Sequence, residues 1–173
     1  MKKKHIAHIQ KQVQTSYSAI AEEFDQTRQK PLEEFHHFLA YVRHGARVLD
    51  LGCGNGRLYA VLEPKTIDYL GIDHNSQLLE KAKMTHPQAR FELRDMMDLS
   101  FLPEEAFDMV FSIASFHHVP SRKERTKVAE AIHRILKPDG LLIVTVWNLF
   151  QWKYLGAVLR AIPYEIQPLE NLG

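Results

Sequence analysis

The spacing of hydrophobic positions changes near residue 46. Before that point, residues 6–24 and 31–45 carry apolar side chains every three or four positions, which predicts two helices, the second ending at Gly45. After it, short apolar or β-branched runs alternate with helical patterns. The runs predict five strands, at 47–51, 67–72, 89–93, 108–113 and 141–147, and the patterns between them predict helices at 56–62, 76–84 and 122–136.

Alternation of strands with helices defines the expected fold class. A parallel pair of strands needs a long crossover connection, which a helix usually supplies. We therefore predict an α/β fold with a doubly wound, mainly parallel sheet, helices on both faces and an N-terminal helical cap. Asn75 and Ser121 are the predicted N-caps of two of these helices, and Lys-Pro-Asp-Gly at 137–140 predicts a turn that ends the last one.

Composition and charge exclude several classes of protein. Of the 173 residues, 45% are apolar and 25% charged, as in ordinary globular domains. The 22 basic and 21 acidic side chains give a net charge of +1, so no overall basic field favours nucleic acid. A single cysteine excludes a disulfide scaffold and a multi-cysteine metal site, and no apolar run is long enough to cross a membrane. We expect a cytoplasmic protein without a metal.

A glycine-rich loop, Leu-Asp-Leu-Gly-Cys-Gly-Asn-Gly-Arg at 49–57, follows the first strand and is the first candidate binding element. In open α/β sheets, ligands bind where such loops leave the carboxyl ends of strands. Arg57 stands where a dinucleotide fingerprint needs a small residue, and the Gly-Lys-Ser/Thr ending of a phosphate loop is missing. The carboxylate of Asp50 would repel a pyrophosphate but attract an ammonium or sulfonium group. The loop therefore favours a cationic cofactor.

Three further strands end in polar residues at the same edge of the predicted sheet. Asp73 ends the second strand 19 residues after Gly54, close to the interval of roughly 20 at which an acid reaches ribose hydroxyls. Asp95 follows the third strand and would accept a hydrogen bond from an exocyclic amine, with Met96 packed on the base. The fourth strand leads into Ala-Ser-Phe-His-His at 114–118. The convergence of these tips predicts a binding site.

In this order, the motifs resemble those of class I S-adenosylmethionine-dependent methyltransferases. They run as LDLGCGNG, GID, RD, FDMVFS and LKPDG before LLIVTVW, and the resemblance covers residues 15–148. It implies a Rossmann-like domain at 46–173 after a cap at 1–45, with S-adenosyl-L-methionine as cofactor and S-adenosyl-L-homocysteine as product. The cofactor-binding residues that it implies are Tyr17, Arg28, Asp50, Gly52, Cys53, Gly54, Asn55, Asp73, His74, Asp95, Met96, Ser112 and Ala114.

The segment at 17–31 carries a narrower resemblance. Its Phe24, Thr27-Arg28 and Lys30-Pro31 are similar to the corresponding residues of tRNA wobble-uridine carboxymethyl methyltransferases, which esterify a 5-carboxymethyl group on the first anticodon base. Ser-Ile-Ala at 112–114, followed by two histidines and a downstream arginine, also matches that subgroup. This resemblance places five residues around the substrate: Tyr17, Arg28, His117, His118 and Arg125. The last four are the candidate catalytic residues, and Tyr17 lines the mouth of the site.

The chemistry of such a transfer suits these side chains. A carboxylate is already a nucleophile at neutral pH, so its methylation needs alignment and desolvation rather than a strong base. An arginine can hold a carboxylate through two parallel hydrogen bonds, and Arg28 and Arg125 are the candidates.

Three functions remain open from the sequence. The first is methylation of a modified tRNA uridine; the second, favoured by the near-neutral charge, is methylation of a small molecule such as a quinone precursor or a carboxylic acid. The third is a cofactor-binding subunit that is inactive without a partner. About 25 residues follow the fifth strand, fewer than the two further strands of the family fold usually need. We therefore expect those two strands to be missing. A helper subunit or a second copy of the chain would then cover the edge of the sheet at the fifth strand.

Overall fold

The structure is a computed structural model that describes residues 33–146 together with Lys11 and Thr15. Lys11 and Thr15 are helical, whereas the rest of the predicted first helix, Arg28 and the residues from 147 onward lie outside the described residues. Within the described part, five strands form β1 (Arg47–Leu51), β2 (Asp68–Asp73), β3 (Arg90–Leu93), β4 (Phe107–Ile113) and β5 (Leu136–Thr145). The helices are α1 (Arg57–Leu62), α2 (Ser76–Thr85) and α3 (Arg122–Ile135), with 3-10 helices at Glu33–Ala40, Glu63–Lys65 and Phe116–His118.

The strands form one sheet in the order β3-β2-β1-β4-β5, and every pair is parallel. The chain first builds outward from β1 through β2 to β3 and then returns to β4 on the other side of β1. The gap between the carboxyl ends of β1 and β4 is therefore the switch point at which open α/β sheets bind ligands. This topology confirms the predicted doubly wound α/β fold.

Helices cover both faces of the sheet because the side chains of each strand alternate between the two faces. Val48 of β1 packs in one apolar cluster with Leu58 of α1 and Leu79 of α2. Its neighbour Leu49 belongs to the opposite cluster, together with Ile132 of α3. Burial of both faces explains why the strands read as nearly continuous apolar runs.

Local capping signals are confirmed where the structure describes them. The Asn75 side chain accepts a hydrogen bond from the Leu78 amide at 3.1 Å, and the Ser121 hydroxyl accepts one from the Glu124 amide at 3.2 Å. Each satisfies an amide that has no partner within the helix.

Two boundaries differ from the prediction by more than two residues. The helix expected to continue to Gly45 is a 3-10 helix that ends at Ala40. The predicted turn at 137–140 lies inside β5, where three extra residues loop out between the pairs Phe107–Leu136 and Met109–Leu141. Asp139 has a left-handed φ of 62° there, so the turn exists as an irregularity of the strand rather than as its boundary.

The strand β5 lies at one edge of the described sheet and carries apolar side chains that remain open to solvent. Leu141, Leu142 and Val144 are between 39% and 43% exposed, and Val146, directly after the strand, is 60% exposed. Among the described residues, no helix has the length and apolar character needed to cross a membrane.

Candidate functional site

The glycine-rich loop turns sharply at the switch point and packs against the tip of β4. Gly52 has a φ of +76°, which favours glycine, and its amide donates to the carbonyl of Ile72 at 2.8 Å. A Cβ on Gly52 would lie 2.5 Å from the Cβ of Ser115, far inside any tolerated contact. Glycine is therefore needed at position 52 for both backbone conformation and space.

The carboxylate of Asp73 joins the loop after β1 to the loop after β2. Its Oδ2 accepts from the Gly54 amide at 2.9 Å, and its Oδ1 accepts from the Asn75 amide at 2.8 Å. Each carboxylate oxygen has a further lone pair, so these two bonds orient the group and still leave acceptor capacity. His74 lies beside it, with its Nδ1 3.6 Å from Oδ1.

A second carboxylate lies deeper, on β1. Asp50 is 1% exposed, and its Oδ2 accepts a hydrogen bond from the Tyr69 hydroxyl at 2.8 Å. Its Oδ1 has no hydrogen-bond partner among the residues that the structure describes. Burial raises the pKa of Asp50 from its usual 3.8 to about 7, and the nearby Asp73 acts in the same direction.

The thiol of Cys53 is a packing group in this loop. It is buried against β2, where the absence of a side chain on Gly71 leaves room for its sulfur. Burial and the carboxylates of Asp50 and Asp73 raise the pKa of the thiol well above 9.0, so it stays protonated and unreactive.

The tip of β4 is held by a chain of hydroxyl groups. The Ser115 hydroxyl donates its proton to the carbonyl of Leu51 at 2.6 Å. In the 2.7 Å hydrogen bond between Ser115 and Ser112, the Ser112 hydroxyl is therefore the donor. Between the two serines, Ala114 adopts a left-handed φ of 51°, and its amide donates to the backbone and side-chain oxygens of Thr145 at 3.0 Å. Such a conformation costs alanine about 1–2 kcal/mol, and strain of this kind concentrates at functional sites.

Two histidines follow this tip on the 3-10 helix Phe116–His118. Their rings are in contact, with centroids 4.2 Å apart and planes tilted by 45°. Burial lowers the pKa of both imidazoles, and for His118 the neighbouring His117 and His74 help to lower it to about 4. His118 is therefore neutral at physiological pH.

These groups surround a solvent-open cleft of about 430 Å³, its mouth included, at the switch point. Of the predicted site residues, six line the cleft: Gly52, Asp73, His74, Met96, Ala114 and His118. Asn75, Leu78 and Ser115 also line it but were missed as site residues. Asn75 was recognised only as a helix cap, and Ser115 only as part of the strand tip.

Several predicted site residues lie beside or behind the cleft. Ser112 is fully buried and does not line the cleft, whereas Ser115 does. Asp50, Cys53 and Asn55 are buried in and under the glycine loop. Asp95 is exposed at the end of β3, and its Oδ1 accepts from the Met97 amide at 2.9 Å.

Arg125 anchors the segment before α3. Its Nη1 donates to the carbonyl of Val119 at 2.9 Å, and it is not among the described residues that line the cleft. The structure therefore gives Arg125 a positioning contact next to the histidines. Tyr17 and Arg28, predicted at the mouth, lie outside the described residues. No group of three His, Cys, Asp or Glu side chains within the described part has a metal-binding arrangement.

The described residues fit S-adenosylmethionine. Asp73 presents a carboxylate with spare acceptor capacity at the wall of the cleft, and Asp50 adds a second acidic group beneath the glycine loop. Gly52 brings backbone without a side chain to the wall of the cleft, and Met96 and Leu78 add apolar lining suited to an adenine ring. Fold and site together define a class I S-adenosylmethionine-dependent methyltransferase.

Comparison with known proteins supports this class. The family model for the methyltransferase domain matches residues 49–144, which is more than half of the chain. The chain belongs to this methyltransferase family, and the predicted class and its cofactor, S-adenosylmethionine, are confirmed at that level.

Two curated relatives are tRNA (carboxymethyluridine(34)-5-O)-methyltransferases. The one from Arabidopsis thaliana is 33% identical over 137 residues, covering 79% of this chain and 33% of the relative. The one from Saccharomyces cerevisiae is 33% identical over 142 residues, covering 82% of this chain and 50% of the relative. The chain thus spans a third to a half of the length of these relatives, and the predicted resemblance to this subgroup is confirmed.

Two solved structures share the fold. A TehB-like S-adenosylmethionine-dependent methyltransferase from Corynebacterium glutamicum has a TM-score of 0.64 at 25% identity and covers 83% of each chain. A complex between the Haloferax volcanii Trm112 methyltransferase activator and a methyltransferase has a TM-score of 0.67 at 27% identity, covering 78% of this chain and 60% of that one.

Proposed function

We propose that this chain is the catalytic part of a methyltransferase that transfers a methyl group from S-adenosylmethionine to the 5-carboxymethyl group of a tRNA wobble uridine. The observation that carries the substrate class is the 33% identity to two carboxymethyluridine methyltransferases over about four-fifths of the chain. In this proposal, residues 1–45 form a cap on the catalytic domain at 46–173. The protein works in the cytoplasm, where its one buried thiol stays reduced.

The cofactor supplies an electrophilic methyl group on a sulfonium. The residues of this chain provide the surroundings for the transfer: the loop at Gly52 lets the ligand approach the backbone, and the carboxylates of Asp50 and Asp73 attract its positive charge. Attack by a carboxylate on a sulfonium neutralises charge, so a site that excludes water favours the transition state. Leu78 and Met96 supply apolar surface for that purpose.

The state of His118 suits this chemistry. The acceptor carboxylate has no proton to lose, so the site needs no general base. An imidazole whose pKa is lowered to about 4 remains neutral at pH 7 and can make hydrogen bonds without adding charge beside the reacting groups. In this proposal His117 and His118 contact the substrate. Arg28 holds its carboxylate together with Arg125, whose guanidinium keeps N–H donors beyond the one bonded to Val119.

The decisive experiment is nucleoside analysis of total tRNA from cells that lack the protein. We expect loss of the methyl ester of 5-carboxymethyluridine and accumulation of the free acid. Purified protein with labelled S-adenosylmethionine should restore the ester on that tRNA. Unchanged tRNA nucleosides, together with labelling of a small carboxylic acid by the purified protein, would favour the small-molecule alternative.

A matched pair of variants tests the cofactor site. Asp68 is the first residue of β2 and Asp73 the last. Asp73 lines the cleft, whereas Asp68 is exposed and forms an ion pair with Arg47 at 3.1 Å. Calorimetry should show S-adenosylmethionine binding weakened at least about tenfold in Asp73→Ala and unchanged in Asp68→Ala, because only Asp73 can accept hydrogen bonds from the ligand. Equal affinities would refute the assignment of Asp73.

We also propose that a helper subunit, or a second copy of the chain, covers the edge at β5. The similar Haloferax volcanii methyltransferase was solved with an activator protein, and β5 presents the exposed apolar side chains of Leu141, Leu142 and Val144. Exposed edges with apolar side chains pair readily with other chains. Gel filtration with light scattering tests this: a monomer that turns over without any partner would contradict it.

A further inference from the structure

The solvent side of α3 begins with a basic face. Arg122, Lys123 and Lys127 lie there with Thr126 around a shallow, open depression whose lining includes one acid, Glu130. All five residues are exposed. The chain as a whole carries a charge of only +1, so this face is a local excess of positive charge on a nearly neutral protein.

Two of the three cations have no acidic partner in the described part of the chain. Lys127 donates to both carboxylate oxygens of Glu124, at 3.0 and 3.2 Å. The guanidinium of Arg122 and the ammonium of Lys123 make no ion pair or side-chain hydrogen bond with the residues that the structure describes. Both charged groups are therefore open to an anion from solvent.

The stability of α3 does not explain why these cations lie where they do. Arg122 and Lys123 are the first two residues of the helix, where the unpaired backbone amides create a positive end that disfavours cations. At the other end of α3, where cations are favoured, Arg134 is held by the carbonyls of Leu102 and Leu99 at 3.0 and 2.9 Å. The two unpaired cations of the first turn therefore fit a binding role better than a folding role.

The topology places this face beside the cleft. Because α3 follows β4 and crosses back along a parallel sheet, its first turn lies at the carboxyl ends of the strands, the edge that holds the cleft. Only three residues separate Arg122 from His118, which lines the cleft, so their Cα atoms are at most about 14 Å apart. A long ligand that enters the cleft can therefore also reach α3.

The backbone of a nucleic acid is the ligand that this arrangement fits. When one base lies in the cleft, its chain continues on both sides as a row of negatively charged phosphates. Phosphate oxygens accept hydrogen bonds from arginine and lysine, and such contacts set the orientation of a nucleic acid without reading its sequence. A small carboxylic acid would occupy the cleft alone and would leave Arg122 and Lys123 without a role.

We propose that Arg122 and Lys123, with Lys127 beside them, bind backbone phosphates of the substrate tRNA next to the wobble uridine and so hold that base at the cleft. The inference rests on the proposed function and adds a docking surface to it. The three side chains contribute to the affinity for tRNA, and the methyl transfer itself takes place in the cleft.

Two double variants of the full chain, each of which removes two positive charges, test this surface. Arg122→Gln/Lys123→Gln changes the proposed docking surface. Lys65→Gln/Lys83→Gln is the matched control, because both lysines lie in the last turns of helices, at the opposite edge of the sheet. The affinity for tRNA from cells that lack the protein is measured by fluorescence anisotropy at about 50 to 200 mM salt. Calorimetry with S-adenosylmethionine checks that each variant is folded.

We expect the salt dependence of tRNA binding to fall in Arg122→Gln/Lys123→Gln. The slope of log affinity against log salt should be shallower by about 1 to 2, since each lost phosphate contact removes roughly 0.7 to 0.9 released counterions. The affinity at low salt should fall about tenfold, and the KM for tRNA should rise by a similar factor with kcat unchanged. Lys65→Gln/Lys83→Gln should behave as the natural protein does, and S-adenosylmethionine should bind all three proteins equally.

The outcomes separate this inference from the proposed function. An unchanged slope and KM in Arg122→Gln/Lys123→Gln, or an equal change in the control, overturns the docking surface and leaves the methyltransferase proposal intact. Polyglutamate that binds as tightly as tRNA and is lost in the same variant would assign the face to an acidic protein instead. A tRNA that binds through this face but is never methylated overturns the proposed function and keeps the surface. A natural protein that binds no tRNA at any salt concentration overturns both.

Discussion

The buried carboxyl group of Asp50 should make the protein less stable as the pH rises, even without any ligand. Folding favours its protonated form, because the pKa in the folded protein is about 7 and that in the unfolded chain is close to 3.8. The destabilisation is absent below pH 4, grows as the pH rises towards 7 and stays constant above that. At about 1.4 kcal/mol for each pH unit, its full size is about 4 kcal/mol, a large part of the stability of a typical domain.

Replacement of Asp50 by Asn removes this titration and keeps the acceptor for the Tyr69 hydroxyl. Between pH 4.5 and 7 we expect the free energy of unfolding of Asp50→Asn to gain about 3 kcal/mol relative to the natural protein. The new amide brings its own cost of about 1–3 kcal/mol where it lacks an acceptor, but that cost does not depend on pH.

Urea unfolding followed by circular dichroism, at half-unit steps of pH, measures this difference. Asp68→Asn is the control, because it makes the same replacement at an exposed position at the other end of a neighbouring strand. A flat difference for Asp50→Asn would refute the reasoning, since it would mean that the carboxyl group ionises equally readily in the folded and unfolded chain.

Three other predictions follow from single contacts. Gly45→Ala should lower the free energy of unfolding by about 1 kcal/mol, because the φ of Gly45 is +71° but an added Cβ would meet nothing within 4 Å. Gly52→Ala should lower it clearly more, because an added Cβ would also meet Ser115. Equal losses of stability in urea unfolding would contradict this. Asn75→Ala should lower the free energy of unfolding by about 1 kcal/mol through loss of the α2 cap, and no change would show that the cap contributes nothing. The imidazole of His118 should titrate in NMR well below the usual 6.5, near pH 4, and a value at or above 6.5 would show that it is not desolvated.

The parts of the fold that could be predicted from the sequence depend on neighbouring residues. The strand Arg47–Leu51 lies where the apolar run predicted it, and α2 begins directly after the predicted cap Asn75. Strand periodicity and helix capping arise from contacts only a few residues apart, so they leave a readable pattern. The same holds for the glycine loop, whose position after β1 in a parallel sheet already indicated a binding edge.

The boundaries that were wrong depend on packing instead. The segment ending at Ala40 has helical apolar spacing, but it forms a 3-10 helix whose Phe35 and Phe38 pack on the sheet. Strand β5 begins before the predicted turn because Leu136 pairs with Phe107 on β4. Neither contact could be predicted from local spacing.

By itself, the sequence determined the class of fold, the edge of the sheet at which the cleft lies and the family to which the chain belongs. Only the tertiary structure decided which side chains meet: that Ser115 rather than Ser112 lines the cleft, and that Tyr69 holds Asp50. The bond from Ser115 to Leu51 joins residues 64 positions apart, and that from Tyr69 to Asp50 joins residues 19 apart. Contacts of this kind are set by the order and register of the strands, because only the assembled sheet brings distant residues together in a buried space.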